Sequence, residues 1–477
     1  MATENTHYGA TEIGRLLASC DSIYFIGIGG INMSSLAHVS LKRGYRVGGS
    51  DRTPTALTER LADAGIEVFY EHDEKNVASY DAVVYTVAIS PDNPEYLAAR
   101  RRGIPCISRA DYLGYLMTAY TRRIGVSGMH GKSSCTSMCA QTLLEAGTEP
   151  TVLSGAELSA MGGAYHVGNE ENFVFEACEY MDSFLDFNPT IAIILNIEMD
   201  HVDYFHSMEQ IRSSFARYAS LTGVGGYAIV NGDDPQVLEA MKGYAGTLIR
   251  FGIDRSDVDL WATNVVCQRG KHAFDVYTTD GKFCHISLGV TGYYQIYNAL
   301  ACVAACRLCG LSARQIEEGL GSFCGAKRRM EYKGTLNGGD VYEDYGHHPT
   351  EIRATLKGAR GLPDEGGRLF CVYQPHTYSR THALFEEFAS AFGDADRVLM
   401  VDIYAAREVD TLGVSSEKLA NAIGESAQSC GTFAEAAEIL RRDVRPGDVA
   451  VVMGAGDVYK VLDCLKDDLL SPRKEYT

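Results

Sequence analysis

One short segment, residues 128–134, constrains this chain more than any other. It reads Gly-Met-His-Gly-Lys-Ser-Ser, follows an apolar run at residues 124–126 and opens a segment with helical character. Strand, glycine turn, lysine, hydroxyl and helix form the layout of a phosphate-binding loop, in which small residues let backbone N–H groups reach phosphate oxygens. In such a loop Lys132 would contact the β- and γ-phosphates of a nucleotide, and the Ser133 hydroxyl would bind Mg²⁺.

The loop departs from the strict pattern G-x-x-x-x-G-K-[ST], because Val126 occupies the position of the first glycine. A glycine turn with a solvated lysine is the alternative interpretation. The preceding strand and the following helix favour phosphate binding. The residues predicted to form the phosphate site are Gly128, Met129, His130, Gly131, Lys132, Ser133 and Ser134.

The length and charge of the chain limit its class. A chain of 477 residues is too long for one hydrophobic core, so about two to four domains are expected. The net charge of −19 argues against nucleic acid and anionic membrane surfaces as partners. No early apolar stretch indicates a signal peptide, and no later run is long and apolar enough to span a bilayer, so we expect a cytoplasmic protein.

The cysteines allow two interpretations. Fourteen cysteines in a chain of this size indicate reduced thiols rather than a disulfide scaffold. Cys302, Cys306 and Cys309 have the spacing of a radical-type iron–sulfur loop, but positions i, i+4 and i+7 also share one face of a helix. Their surroundings are rich in alanine and contain neither glycine nor proline before Gly310. A buried helix face is therefore favoured over a cluster.

The first segment, which we place at residues 1–121, alternates strands and helices. An apolar strand at residues 22–26 runs into Gly27-Ile28-Gly29-Gly30, and a second strand ends in Asp51. This pattern is similar to a dinucleotide-binding turn, in which an acid about 20 residues beyond the glycines holds a ribose hydroxyl. Asn32 replaces the third glycine of G-x-G-x-x-G. A tight turn without a bound phosphate is therefore nearly as good an interpretation.

The second segment, residues 122–326, carries acids after two strands. One strand ends in Glu176, and another is followed by His201 within an acidic cluster. Parallel sheets bind ligands at the carboxyl ends of their strands, and Mg²⁺ shared with a nucleotide needs one or two carboxylates. Glu176 suits Mg²⁺, whereas His201 is equally well interpreted as a hydrogen-bonded loop residue. The other acids of these loops are Glu179, Asp182, Glu198, Asp200 and Asp203.

The third segment, residues 327–477, repeats one design in which an apolar strand is followed by polar residues. Four such rims favour a binding site over ordinary polar loops. Together the segments predict an α/β protein of three domains, each a mainly parallel sheet with helices, the first and third Rossmann-like and the second like a phosphate-loop ATPase. The four polar stretches are residues 345–350, 374–380, 402–408 and 454–457.

In this order the motifs resemble those of the Mur ligases over almost the whole chain. The most specific are residues 344–351, Asp-Tyr-Gly-His-His-Pro-Thr-Glu, and residues 402–408, Asp-Ile-Tyr-Ala-Ala-Arg-Glu. The other matching stretches are 27–30, 128–134, 200–203, 328–329, 374–380 and 454–458.

The resemblance implies an enzyme of peptidoglycan precursor synthesis that uses ATP and Mg²⁺. Its domains would bind a UDP-sugar (residues 1–121), ATP (residues 122–326) and an amino acid (residues 327–477). ATP would phosphorylate the lactyl carboxylate of UDP-N-acetylmuramate, and the amine of L-alanine would attack the acyl phosphate to give an amide, ADP and phosphate. We expect these small molecules as partners, no nucleic acid or membrane, and a monomer or weak homodimer.

The resemblance also implies roles for matched residues. On the nucleotide side, Lys132 would stabilise charge on the leaving ADP. The remaining nucleotide and metal residues would be Ser133 and Glu176 for one Mg²⁺, His201 for a second metal, Asn298 for adenine and Arg329 for the phosphates. The substrate residues would be Gly27, Gly29 and Gly30 for the UDP diphosphate, Asp51 for the uridine, Arg109 and Tyr345 for further substrate contacts, and His347, His348 and Arg380 for alanine.

The chain departs from the commoner family pattern at several positions. Threonines of the phosphate loop are replaced by Met129 and Ser133, and Ser133 keeps the hydroxyl. Cys178 replaces an acid near the metal ligands, and Thr377 replaces an arginine in the Pro-His-x-Tyr-Ser-Arg loop. Near adenine, Tyr294-Gln295 replaces a His-Asn pair. None of these changes removes a residue on which the implied chemistry depends.

Other functions remain open from the sequence. Later ligases of the pathway carry a carbamylated lysine downstream of the Asp-His motif. No lysine lies between Lys132 and Lys242 in this chain, which disfavours those ligases. A recycling ligase that attaches a tripeptide to the same sugar is a closer alternative, although Asp344-Tyr345-Gly346 favours the alanine ligase. An NAD-dependent oxidoreductase would leave the phosphate loop unexplained. A non-catalytic nucleotide-binding regulator would bind ATP without substrate-dependent release of ADP.

Overall fold

A computed structural model of the chain describes residues 3–201, 204–268, 270–406 and 408–470. These residues form two compact units. The first contains the chain up to Gly252 with Asp257–Leu260 and Ala301–Gly319, and the second contains Ile253–Ser256, Trp261–Leu300 and the chain from Leu320 onward. Within the described ranges, no helix has both the length and the apolar character needed to cross a membrane.

Helices and strands alternate along most of the chain, as the sequence predicts. The strands are β1 (Ser22–Ile26), β2 (Arg46–Ser50), β3 (Glu67–Phe69), β4 (Ala82–Tyr85), β5 (Cys106–Ser108), β6 (Arg122–Ser127), β7 (Thr151–Leu158), β8 (Gly163–His166), β9 (Asn172–Glu176), β10 (Ile191–Ile194), β11 (Tyr227–Asn231), β12 (Thr247–Ile253), β13 (Leu260–Gln268), β14 (Lys271–Thr278), β15 (Gly281–Thr291), β16 (Glu331–Leu336), β17 (Gly339–Asp344), β18 (Leu369–Tyr373), β19 (Arg397–Met400), β20 (Ala427–Ser429) and β21 (Val449–Met453). The α-helices are α1 (Ala10–Leu17), α2 (Ile31–Lys42), α3 (Ala56–Asp63), α4 (Pro94–Arg102), α5 (Arg109–Met117), α6 (Lys132–Glu145), α7 (Met208–Ser220), α8 (Pro235–Ala240), α9 (Gln295–Leu308), α10 (Ala313–Gly321), α11 (Pro349–Ala359), α12 (Tyr378–Ala383), α13 (Phe385–Ala389), α14 (Ser416–Ile423), α15 (Phe433–Asp443) and α16 (Lys460–Cys464), and short 3₁₀ helices cover Ser159–Met161 and Tyr180–Asp186.

The first sheet has five strands in the order β3-β2-β1-β4-β5, all parallel. Every residue of β1 is buried, as expected for a central parallel strand with helices on both faces. The chain goes from β1 to β2 on one side and later to β4 on the other. The strand order therefore reverses at β1, and a crevice opens at its carboxyl end, where Gly27 follows.

The second sheet carries the phosphate loop at the end of β6. In the first unit its strand order is β12-β11-β10-β6-β9-β7-β8, and only the β7–β8 pair among these is antiparallel. Parallel register sets Val126 of β6 opposite Glu176 of β9, and Ser127 opposite Ile194 of β10. The loops that follow these three strands therefore meet at one edge of the sheet, as the acids after β9 and β10 suggested.

Strands β13 to β15 of the second unit are a feature that the sequence interpretation missed. They run in the order β15-β14-β13, and β14 pairs antiparallel with β15. In β14 buried and less buried residues alternate along the strand. That period of two, visible in the sequence as His272, Phe274, Val276 and Thr278, is the signal that would have found it.

The third sheet gathers the four polar rims. Its order is β16-β17-β21-β18-β19-β20, with β16 antiparallel and the other strands parallel. Asp344, Met453, Tyr373 and Met400 end four neighbouring strands and lie opposite one another in register. The residues that follow these strands therefore share one edge, and the predicted α/β class with mainly parallel sheets is confirmed.

The cysteine face behaves as a packed helix surface. Cys302 and Cys306 lie on α9, are fully buried, and have their Sγ atoms 3.8 Å apart. Cys309 follows the end of the same helix. The predicted helix face is confirmed, and the loop required by the iron–sulfur interpretation is not formed.

Candidate active site

The first glycine turn is held by the strand beside it. Gly27 has a φ of +85°, a left-handed conformation that favours glycine, and its N–H donates to the Ser50 carbonyl at 2.8 Å. The Gly29 N–H donates to Oδ2 of Asp51, also at 2.8 Å. A Cβ on Gly29 would lie 2.8 Å from that oxygen, which explains glycine there. The structure thus brings Asp51 onto the turn, and α2 begins at Ile31 directly after Gly30.

Arg109 lies at the start of α5 in the first unit. Burial lowers the pKa of its guanidinium, and the neighbouring Cys178 and Asp186 oppose this shift. Asp186 is hydrogen-bonded to Nδ1 of His7 at 2.5 Å. Arg109 is therefore a cation near the loop that follows β9. Its contact with substrate stays a prediction.

The phosphate loop is fixed by its glycines and by Asn196. Gly128 and Gly131 have φ values of +138° and +83°, and a Cβ on Gly128 would lie 3.0 Å from Cβ of Leu195. The Asn196 side chain accepts from the His130 N–H at 2.8 Å and donates to the His130 carbonyl at 3.0 Å. Asn196, which the sequence interpretation did not assign to the site, therefore holds the loop in shape.

Lys132 opens α6, and its ammonium group is turned into the loop. Its Nζ donates to the carbonyls of Gly128 at 2.6 Å and Met129 at 3.2 Å. The same Nζ lies 3.2 and 3.1 Å from the two carboxylate oxygens of Glu179. Burial disfavours the charged lysine, but the Glu179 carboxylate outweighs burial and raises the pKa of Lys132. Lys132 is therefore a buried cation with an ionic partner.

Glu179 joins Lys132 to His201. It is fully buried, and its Oε1 lies 3.0 Å from Nε2 of His201. Burial would raise the pKa of Glu179, but Lys132 and the hydrogen bond with His201 hold it below its usual range, so the carboxylate is charged. His201 has a φ of +50°, a strained backbone conformation that is found more often at functional sites.

Glu176, the predicted Mg²⁺ ligand, has different neighbours. Its Oε1 accepts from the Gly155 N–H at 2.6 Å and from the Ser154 hydroxyl at 3.4 Å. Its charge still contributes to the raised pKa of Lys132. The acid in direct contact with the lysine is instead Glu179, three residues further on. Val202 and Asp203, which complete the Asp-His motif, lie outside the described residues.

In the second unit, Asp344 organises the residues near Arg329. Its carboxylate accepts from the N–H groups of Gly346 at 2.8 Å and Met330 at 2.9 Å. Burial raises the pKa of Asp344 to about 6, and Arg329 opposes that shift. The Arg329 guanidinium lies 5.3 Å from the ring centre of Tyr345. The predicted residues Arg329 and Tyr345 are therefore neighbours.

His347 and His348 lie at the start of α11. Glu351 accepts from the backbone N–H groups of both histidines, at 2.9 and 3.2 Å. Nδ1 of His348 accepts from the Thr350 N–H at 3.3 Å, so this side chain caps the helix. His348 thus has a structural role besides the predicted contact with alanine.

Arg380 lies beside a histidine that was not among the predicted site residues. Its Nη1 is 3.4 Å from Nδ1 of His376. The His376 ring stacks on Tyr404 at 5.3 Å and lies 5.9 Å from the His347 ring. His376 therefore connects the predicted residues His347 and Arg380, and the Pro-His pair in the second polar rim was the signal for it.

Two residues that depart from the commoner family pattern, Thr377 and Gln295, have defined neighbours in the structure. Thr377 has a φ of +43°, and its hydroxyl lies 3.1 Å from the Ser379 hydroxyl, which contacts Glu408. Asn298 is buried on α9 and donates to the Gln295 side chain at 2.9 Å. Arg407, which directly precedes Glu408, lies outside the described residues.

Models of three protein domains match the chain in sequence order. The Mur ligase family catalytic domain matches residues 22–121, the Mur ligase middle domain matches residues 126–306, and the Mur ligase glutamate ligase domain matches residues 328–456. This chain belongs to the Mur ligase family. The matched models cover both glycine turns, at residues 27–30 and 128–134.

Several Mur ligases are similar over nearly their full length. A UDP-N-acetylmuramate–L-alanine ligase of Clostridium novyi (strain NT) is 44% identical over 442 residues, 92% of this chain and 96% of the relative. One from Acetivibrio thermocellus is 43% identical over 444 residues, 92% of this chain and 94% of the relative. The crystal structure of UDP-N-acetylmuramate-alanine ligase from Thermotoga maritima is 26% identical, covers 94% of this chain and 98% of its own, and has a TM-score of 0.77.

A second kind of Mur ligase is also similar. The crystal structure of UDP-N-acetylmuramate:L-alanyl-gamma-D-glutamyl-meso-diaminopimelate ligase from Neisseria meningitides is 26% identical, with a TM-score of 0.59. It covers 65% of this chain and 100% of its own.

Proposed function

We propose that this Mur ligase joins L-alanine to UDP-N-acetylmuramate in an ATP-dependent step of peptidoglycan precursor synthesis. The observation that carries the proposal is the match, at 44% identity over 92% of the chain, to a relative with that name. The buried lysine of the phosphate loop and the histidine–arginine group at the edge of the third sheet support it. These supply a cation for nucleotide phosphates and a cation for an amino-acid carboxylate.

We propose that each of the three segments binds one substrate, in the order in which they occur along the chain. Residues 1–121 would bind the UDP-sugar through the turn at Gly27 and Gly29, with Asp51 near the uridine. Residues 122–326 would bind ATP, and residues 327–477 would bind alanine. The switch point of the first sheet supports the first assignment, because open parallel sheets bind ligands there. We further propose that the protein acts in the cytoplasm.

The residues of the phosphate loop fit ATP with Mg²⁺. The loop offers backbone N–H groups at the start of a helix, the ammonium of Lys132 and the hydroxyl of Ser133. Glu176 adds a carboxylate, and hard oxygen ligands of this kind suit Mg²⁺. We assign Ser133 and Glu176 to one Mg²⁺ and His201 to a second metal. Asn298 would face adenine.

The charges of the site explain how the chain could promote the reaction. ATP supplies the phosphoryl group that activates the lactyl carboxylate as an acyl phosphate. Lys132 would stabilise the charge that accumulates on the leaving phosphates, an effect that is strong for a cation held in a buried site. Arg329 would add a second positive charge at the phosphates.

The proposed alanine site must bind the carboxylate of alanine, and the alanine amine must be unprotonated when it attacks. Arg380 presents a planar fork that can bind a carboxylate through two hydrogen bonds. Burial and the neighbouring Arg380 lower the pKa of His376, so its ring is neutral near pH 7. A guanidinium has only donors, so Nη1 of Arg380 donates to Nδ1 of this neutral ring, and His376 would orient the Arg380 fork toward the alanine carboxylate. His347 and His348 would complete this pocket.

The test is phosphate release from ATP with UDP-N-acetylmuramate and one amine at a time, followed by mass spectrometry of the sugar product. We expect release with L-alanine and a product extended by one alanine residue. Release only with the tripeptide L-alanyl-γ-D-glutamyl-diaminopimelate would identify a recycling ligase instead. ATP binding without substrate-dependent ADP release would identify a nucleotide-binding regulator.

A further inference from the structure

The phosphate-loop lysine already has all its hydrogen bonds within the protein. An ammonium has three N–H donors. Nζ of Lys132 contacts the Gly128 carbonyl at 2.6 Å, the Met129 carbonyl at 3.2 Å and both oxygens of Glu179 at 3.1 and 3.2 Å. A phosphate that binds Lys132 must therefore replace one of these acceptors.

Of these acceptors, Glu179 is the one that carries a charge. The two carbonyls belong to the loop itself and move only with it. The Glu179 carboxylate is fully buried, contacts Nζ of Lys132 with both oxygens and lies 3.0 Å from Nε2 of His201. A phosphate and Glu179 are both anions, and two anions on one buried cation repel each other strongly in a medium of low polarity. Glu179 is thus the partner that a phosphate would displace.

The chain around Glu179 is built to hold that carboxylate in place. Glu179 lies three residues beyond β9, and the next residues, Met181 and Asp182, have φ values of +53° and +55°. Non-glycine residues adopt this conformation at a cost, so the surrounding structure must impose it. Asp182 is in turn hydrogen-bonded to Ser214 and lies 3.5 Å from Arg217.

We propose that Glu179 is a positioning residue that serves as the counterion of Lys132 until a nucleotide binds. The incoming phosphate then takes over Lys132, while Glu179 keeps its contact with His201. Glu179 thereby holds the buried lysine in place in the free enzyme, and it lowers the affinity for nucleotide so that ADP can leave. This inference rests on the proposed binding of ATP at the loop and adds the residue that regulates it.

The test measures binding of ATP and ADP by calorimetry without divalent metal, so that metal ligation does not contribute. Glu179→Gln keeps the shape and removes the charge. We expect Glu179→Gln to lower the dissociation constants of both ATP and ADP by about tenfold or more. This is the scale of a charge repulsion that is lost in a buried site. The matched control is Glu171→Gln, an equal change of charge at an acid just before β9 that pairs with Arg122 rather than with Lys132. It should change binding by less than about threefold, as expected for a partly exposed charge.

A double-mutant cycle with Lys132→Ala separates this role from general electrostatics. If Glu179 acts through the lysine, Glu179→Gln should tighten binding much less when Lys132 is absent. In steady-state ligation, Glu179→Gln should lower the KM for ATP and lower kcat together, because product release slows. A structural role alone would lower the melting temperature and would not produce this pattern.

Three results would count against the inference. Unchanged or weaker nucleotide binding in a folded Glu179→Gln protein would overturn it, as would equal tightening in the presence and absence of Lys132. Both leave the proposed function standing. Failure of the wild-type protein to bind any adenine nucleotide, both with and without Mg²⁺, would overturn the proposed function, and this inference with it.

Discussion

The two glycine turns of the first unit share a backbone design and differ in charge. Each follows a buried parallel strand, uses a left-handed glycine and leads into a helix, with φ values of +85° at Gly27 and +138° at Gly128. At the first turn a backbone N–H is engaged by the carboxylate of Asp51. At the second turn the helix opens with the cation Lys132, which is paired with a buried acid.

The backbone turn and the side chains beside it therefore have separate roles. A glycine turn at a helix start offers N–H groups to any phosphate. An acid beside it suits hydroxyl groups of a sugar, whereas a buried lysine can stabilise charge that moves during a reaction. We therefore assign binding to the first turn and chemistry to the second.

The sharpest test of this contrast is Lys132→Ala. We expect ligation to fall by about a thousandfold, because a cation that meets developing charge is lost. The dissociation constant of UDP-N-acetylmuramate, measured by calorimetry, should stay within about twofold, since the first turn is intact. Lys242→Ala, which changes an exposed lysine of the same unit, is the control. Near-normal turnover in a folded Lys132→Ala protein would contradict the assignment of chemistry to this loop.

Arg380→Ala extends the comparison to a cation that lies away from any glycine turn. The KM for alanine should rise by about a hundredfold if a desolvated charge pair is lost, with little change in the KM for ATP. Arg380→Lys should recover only part of this loss, because an ammonium cannot reproduce the planar fork. Steady-state kinetics with alanine varied at saturating nucleotides measures both. A rise confined to the KM for ATP would place Arg380 at the nucleotide instead.

Gly29→Ala probes the first turn. The added Cβ would lie 2.8 Å from the Asp51 carboxylate and would displace it from the turn. We expect the KM for UDP-N-acetylmuramate to rise by about tenfold, as for the loss of one good hydrogen-bonded contact, while the KM for ATP is unchanged. Gly14→Ala, on α1, meets only an ordinary contact at 3.5 Å and serves as the control. Equal loss of ATP binding would remove the distinction between the two turns.

The smallest effect on activity is expected from the cysteines of α9. Cys302 contacts Thr142 of α6, the helix that follows the second turn, at 3.7 Å. Changing Cys302, Cys306 and Cys309 together to Ala should reduce the free energy of unfolding by roughly 1–3 kcal/mol through lost packing. The KM for ATP should stay within about threefold, because the loop is fixed by glycines and Asn196 rather than by the thiols. Denaturant unfolding and ATP kinetics test this, and loss of turnover at unchanged stability would give the thiols a functional role.

Local sequence patterns predicted most of the fold and both glycine turns. Parallel strands buried on both faces are continuous apolar runs, and glycines that follow them mark the positions where the chain must turn sharply. For that reason the sequence located β1, β6 and the four rims of the third sheet. It missed strands β13 to β15, although the alternation of β14 was visible in the sequence.

The amino-acid sequence was sufficient to locate two glycine turns, the lysine at the second of them, and the family to which the chain belongs. Only the tertiary structure decided which side chains meet that lysine. Glu176, at the end of β9, accepts from the N–H of Gly155 in the neighbouring strand β7, and the Glu179 carboxylate contacts Lys132. His376 likewise joins His347 and Arg380 only because parallel strands bring their loops to one edge. Local propensity fixes where a loop begins, whereas long-range packing fixes the path it follows, and that path selects the contacts.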